Sequence, residues 1–209
     1  MSRQNNALPQ MVEPLWSTYI HQKGARLGLP VTGTFELTPR CNFNCNMCYV
    51  HQTEAQAAQG GRRELTTAEW LAIAEEARKA GMVFLLLTGG EPLLRPDFPE
   101  LLHALKNMGF LVSVNSNGSL LRGELLEAVK RDPPLRFNIT LYGGSNAAYE
   151  RLCGRAMFRE VVDNLRSLKD AGIPVRLNVS VTPDNKDDVP EIFRLARELG
   201  LHTKASTYM

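Results

Sequence analysis

Three of the four cysteines in this 209-residue chain, Cys41, Cys45 and Cys48, fall within eight positions as C-x3-C-x2-C. They follow a short apolar, β-branched run and precede a polar loop, so their thiols are crowded onto one turn. Thiolates held this close repel one another unless a soft cation neutralises them, which makes a metal or iron–sulfur centre the natural occupant. Zinc fits poorly. A closed zinc site takes four ligands, usually as two short pairs roughly 12 to 20 residues apart, and neither Cys153 nor His51 stands in such a pair. A cubane cluster takes one cysteine per iron, so three cysteines leave one iron open to a substrate or cofactor. Three buried, reduced thiols without a metal would sit badly in an Asn-rich turn, because free cysteines are buried as isolated small hydrophobes.

A second group, Gly89-Gly90-Glu91-Pro92, lies about forty residues further on. Paired glycines let backbone approach a ligand closely, and exposed carbonyls beside a carboxylate suit an ammonium group. Alone, the stretch reads as a turn. In this order and spacing, the two motifs together resemble those of the radical S-adenosylmethionine (radical SAM) enzymes.

That resemblance implies a [4Fe–4S] cluster on Cys41, Cys45 and Cys48, with the methionine moiety of S-adenosylmethionine chelating the fourth iron. It implies that Gly89, Gly90, Glu91 and Pro92 form the loop that meets the cofactor's amino group. Many members carry an aromatic residue just before the last cysteine; here Met47 stands there and Tyr49 follows the cysteine, so Tyr49 joins the cofactor-binding candidates. Ser116-Asn117-Gly118 is similar to the family's Thr-Asn-Gly turn, and Ile139-Thr140-Leu141-Tyr142-Gly143 to its Val-Ser-Leu-Asp-Gly strand. Ser116, Asn117 and Thr140 are thereby candidates for the ribose or the methionine carboxylate. Asn178, a polar interruption in an apolar run, is either a cofactor contact or a satisfied core amide. Cys153 reads as a lone packed thiol, with a fourth ligand as the alternative, and Arg151 or Arg155 is a candidate partner for the cofactor carboxylate. The four histidines have no partner spacing and are assigned nothing.

Around these residues, strand and helix signals alternate with regularity. A leading helix is expected from about Pro9 to Leu27, with Met11, Trp16 and Tyr19 packed against the main body. Strands are expected over 34–38, 82–88, 110–114, 135–141, 175–181 and 201–208, and 52–63 reads as a polar loop. The intervening helices run over 67–80, 97–108, 122–130, 146–171 with a break at Gly154, and 189–199. Every unusual residue follows a strand, where α/β folds keep their working groups. Periodicity alone leaves a flat doubly wound sheet and a barrel both open. The resemblance implies the barrel: a partial (β/α)6 TIM-like barrel of parallel strands over 32–209, preceded by an N-terminal helical extension over 1–31 and ending near the sixth strand.

The function implied is reductive cleavage of S-adenosylmethionine to a 5′-deoxyadenosyl radical that abstracts hydrogen, with an external one-electron donor. Residues 141–154 and the helix after them are most similar to peptide- and protein-modifying (SPASM-type) members, so a peptide or protein is the expected substrate, with a small molecule as the other. Those members usually continue into a cysteine-rich C-terminal domain. No cysteine follows Cys153, so that auxiliary domain is expected to be absent. The competing class is a non-catalytic module that binds the cluster and S-adenosylmethionine, or a truncated core that needs a partner.

Composition is that of an ordinary globular protein, 44% hydrophobic and 22% charged with a net charge of +2, which gives no argument for nucleic acid or an anionic membrane. A chain of this length buries roughly 70% of the surface its unfolded form exposes and needs no disulfide. No apolar run reaches the length of a membrane span, and the first residues lack the layout of a secretory signal. A cytoplasmic, reducing setting is expected, as a thiolate-ligated cluster prefers.

Overall fold

The computed structural model describes residues 15–48 and 63–207. Tyr49, the start of the expected first helix and nearly all of the expected 52–63 loop lie outside the described residues. The elements are α1 (Leu15–Leu27), β1 (Thr32–Glu36), α2 (Thr67–Lys79), β2 (Phe84–Thr88), α3 (Phe98–Asn107), β3 (Leu111–Ser116), α4 (Gly123–Arg131), β4 (Arg136–Thr140), α5 (Asn146–Cys153), α6 (Phe158–Asp170), β5 (Val175–Val181), α7 (Val189–Leu199) and β6 (His202–Thr207). Short 3-10 turns follow β2 (Pro92–Leu94) and β5 (Lys186–Asp188).

Among the described residues there are six strands, all parallel, in the order β1-β2-β3-β4-β5-β6. A doubly wound sheet reverses its strand order at a switch point; this one advances a single position at every crossover. With right-handed crossovers, such winding puts every helix on the same face and curls the sheet. The result is the expected partial barrel, open between β1 and β6 among the described residues.

Alternation along each strand explains where the core sits. Leu85, Leu87, Val112, Val114, Phe137, Ile139, Leu177 and Val179 are almost fully buried on the outward face, against Leu101, Leu105, Val129, Val161, Leu165 and Ile192 of the helices. Each such side chain contributes roughly 1.5–3 kcal/mol by leaving water. The inward face is polar along β3, β4 and β5, with Ser113, Asn115, Asn138, Thr140, Asn178 and Ser180, whereas β2 places Phe84 and Leu86 there.

Local signals account for the helix ends. Thr66 caps α2 and forms a capping box with Glu69. Asp97 precedes α3 but makes no cap bond; its carboxylate is engaged by Arg95 at 2.9 and 2.6 Å and by Thr67 at 2.5 Å. Gly154, at φ +68°, divides the expected 146–171 helix into α5 and α6. Strand β1 starts and ends two residues before the expected 34–38, because Thr38 leaves the ladder and its carbonyl accepts from Gly90 N at 2.7 Å.

One expectation is overturned. Trp16 is 73% and Tyr19 53% exposed, and their rings meet each other edge-on at 6.4 Å rather than the main body. The other face of α1 makes the attachment: His21 stacks on Phe84 at 4.9 Å and bonds Thr32 at 3.0 Å, while Gly24 lets Val31 come close. No helix among the described residues is long and apolar enough to cross a membrane.

Candidate active site

Cys41, Cys45 and Cys48 lie in the segment that leaves β1. Gly89, Gly90, Ser116, Asn117 and Thr140 end β2, β3 and β4. All line one cavity of about 210 Å³ at the carboxyl end of the sheet, joined by Thr88, Asn115, Tyr142, Ser180 and the side chains of Phe43 and Met47. The two motifs, forty residues apart in sequence, therefore face each other.

The loop that carries the cysteines is fastened on two sides. Asn44 N and Asn46 N donate to the Cys153 and Leu152 carbonyls at 2.9 Å each, and Asn46 Nδ2 to the Arg151 carbonyl at 3.2 Å, so the unsatisfied end of α5 becomes its anchor. Toward β3, Asn117 Nδ2 donates to Asn42 Oδ1 at 2.9 Å, and Asn42 Nδ2 donates to Ser119 Oγ at 2.8 Å. Ser119 N and Oγ both donate to Asn117 Oδ1, at 2.9 and 2.7 Å. This ring of amides holds Cys41, whose sulfur accepts from Phe43 N at 3.4 Å and Asn117 Nδ2 at 3.8 Å.

The glycine pair has a use that motif reading did not supply. A Cβ on Gly89 would collide with the Thr38 carbonyl oxygen, and one on Gly90 with that of Arg40. Gly90 N and Glu91 N donate to those same oxygens at 2.7 and 2.8 Å. The glycines thus let the backbone of the cysteine loop lie directly on the β2 loop.

Glu91 is fully buried, outside the cavity lining. Its carboxylate accepts from Ser116 Oγ at 2.9 Å, Asn117 N at 2.8 Å and Leu93 N at 3.1 Å, and so joins the β2 and β3 loops. Desolvation is the largest influence on it and outweighs these donors, pushing its pKa up to about 7. Pro92, also buried, opens the 3-10 turn behind it. Asn178 lies on the inward face of β5, one pleat below Ser180, which is the β5 residue at the cavity.

Electrostatics divides the thiols. Burial pushes Cys41 up to about 11, opposed by the Phe43 amide. Cys45 is lowered, first by the Cys153 thiol and then, against desolvation, by the Tyr142 hydroxyl. Cys153, with no exposed surface, is raised by the same contact and stays protonated as the donor. Cys48 is exposed. Three soft donors on one loop, spread around one cavity, are a set that a cubane can use, because each iron takes a single thiolate. Arg151 is turned away toward the Asp184 carbonyl at 3.2 Å and Asp188 at 3.4 Å.

Sequence reasoning missed Thr88, Asn115, Tyr142 and Ser180 as lining residues. Strand parity held the signal for Ser180, two residues after Asn178 on the same face. It also missed a buried hub behind the cysteine loop. Arg95, 5% exposed, donates to the Leu37 and Leu65 carbonyls and pairs with Asp97, while Glu64 takes Arg40 at 2.7 Å and Thr38 at 2.5 Å. Nothing local in the sequence announces that set.

Comparison with known proteins adds to this geometry. The model of the Radical SAM superfamily matches residues 35–196. A probable GTP 3′,8-cyclase of Saccharolobus solfataricus is 33% identical over 180 residues, covering 85% of this chain and 56% of that protein. The PqqA peptide cyclase of Gluconobacter oxydans is 34% identical over 174 residues, covering 82% and 47%. The crystal structure of Streptococcus suis SuiB bound to precursor peptide SuiA superposes with a TM-score of 0.75 at 16% identity, over all of this chain and 48% of that one; at that identity the likeness is one of fold. The chain spans about half the length of the curated relatives it matches.

Proposed function

Because this chain belongs to the radical SAM superfamily, a family of enzymes whose cofactors are a [4Fe–4S] cluster and S-adenosylmethionine, we propose that the cavity at its strand ends binds both and initiates radical chemistry on a peptide or protein. The single observation that carries the reading is that all three thiols and the Gly89–Gly90 pair line the same cavity. Cys41, Cys45 and Cys48 would hold the cluster. The exposed edge of Gly89–Gly90 would meet the amino group of S-adenosylmethionine, and Ser116, Asn117, Thr140 and Ser180 would meet its carboxylate and ribose. Glu91 positions these groups from behind by tying the two loops together. When bound and reduced by an external one-electron donor, the cluster supplies reductive cleavage of S-adenosylmethionine to methionine and a 5′-deoxyadenosyl radical, which takes hydrogen from the substrate. The protein's own residues place the cofactor and keep water from the reacting atoms.

A peptide substrate is supported by the peptide cyclase among the relatives and the peptide-bound structure among the neighbours. The GTP cyclase relative favours the second reading, a small anionic substrate. The test is anaerobic reconstitution, followed by dithionite and S-adenosylmethionine. Wild-type protein should release 5′-deoxyadenosine and Cys45→Ala should not. A fully loaded protein that gives no more than the variant would leave only a non-catalytic binding module. A rise in 5′-deoxyadenosine with peptide marks the peptide class, and one with nucleotide alone overturns it.

A further inference from the structure

Below the cavity, the inward face of β4, β5 and β6 is polar and cationic. Thr140 and Ser180 line the cavity, and alternate residues of a strand share a face, so Arg136, Asn138, Arg176 and Asn178 belong to that same wall. Their in-register neighbours on β6 are His202 for Arg176 and Lys204 for Asn178. Leu177 and Val179, fully buried, take the opposite face against the helices.

Arg166, Arg194 and Lys130 each pair with an acid one turn away on their own helix. Arg176 and Lys204 have no acidic partner among the described residues. Arg176 is moreover half-buried, where an uncompensated charge is costly unless a ligand completes it. Glu36, exposed at the end of β1, is the inward-facing acid of the opposite edge strand. At roughly 3.3 Å per residue, Lys204 lies about 7 Å and Arg176 about 13 Å below the level of Ser180.

We propose that this wall is a substrate subsite for an oxyanionic group, carboxylate or phosphate, held by Arg176 and Lys204 with the Asn178 amide between them. The group would sit about 7–13 Å below the level of Ser180, leaving the rest of the substrate to reach the cofactor. Arg176 offers a planar fork and Lys204 a point charge, a pairing suited to an oxyanion. The role as a substrate subsite rests on reading the cavity as the radical site, whereas anion binding by the wall can be measured without that chemistry.

The test is calorimetric titration at low ionic strength with inorganic tripolyphosphate and, separately, with a tetraglutamate peptide. At least one probe should bind. Arg176→Gln and Lys204→Gln should each weaken it about tenfold, the scale of one charge-assisted hydrogen bond. Lys204→Arg should retain most of the affinity, and Lys130→Gln, a surface control, all of it. The probe that binds more tightly identifies the source as phosphate or carboxylate. No binding of either probe, or equal weakening by Lys130→Gln, overturns the subsite. Anion binding that persists in a protein making no 5′-deoxyadenosine would fail the radical reading while leaving this wall intact.

Discussion

Glu91 shows how a motif residue is used differently from what its type suggests. A carboxylate beside two glycines reads as a partner for an ammonium group, yet its oxygens accept from Ser116, Asn117 and Leu93, far inside the protein. Desolvation wins over these donors and raises its pKa from 4.5 to about 7. The folded state then holds the proton more tightly than the unfolded chain. The group's ionisation therefore costs stability progressively from pH 4.5 to 7, approaching ~3 kcal/mol above that range. Thermal melts of the wild type minus those of Glu91→Gln should show this: the difference moves against the wild type between pH 5 and 8. Parallel curves across that range would mean that Glu91 is ionised without penalty. The cysteines and glycines were legible because their chemistry is intrinsic to residue type, but two of the three donors to Glu91, Ser116 and Asn117, come from the end of another strand and have no signature beside it.

At the scale of elements, the site is a set of βα loops tied to one another. Asn185, with no exposed surface, shows the tie between the fourth and fifth: Nδ2 donates to the Tyr142 and Ser180 carbonyls at 3.0 and 2.8 Å, and Oδ1 accepts from Thr182 N at 2.7 Å. Asn185→Ala should cost about 2–3 kcal/mol by leaving those backbone groups unsatisfied. In a domain of this size that lowers Tm by roughly 5–10 °C, measurable by circular dichroism. A shift within experimental error would show that water replaces the amide at no cost. Strands, helices and the Gly154 break were readable from periodicity and punctuation. The packing of α1 was not, because an amphipathic helix has two apolar-bearing sides and the sequence does not say which meets the sheet.

For the molecule as a whole, a ligand bound by the folded form alone stabilises it by mass action. Anaerobic loading with iron and sulfide should therefore raise Tm in the wild type and fail to do so in Cys45→Ala; an equal rise in both would place the iron elsewhere. Local patterning was enough for the alternation of six strands with helices, the three-thiolate loop and the glycine turn. These depend on periods of two and 3.6 residues and on side-chain chemistry, both local. It took the assembled fold to establish that the winding is single, that Gly89 and Gly90 lie against the backbone of the cysteine loop, and that Ser180, Arg176 and Lys204 share one inward wall. Strand order and register are settled by contacts between residues distant in the chain, and no local pattern encodes which strand lies beside which.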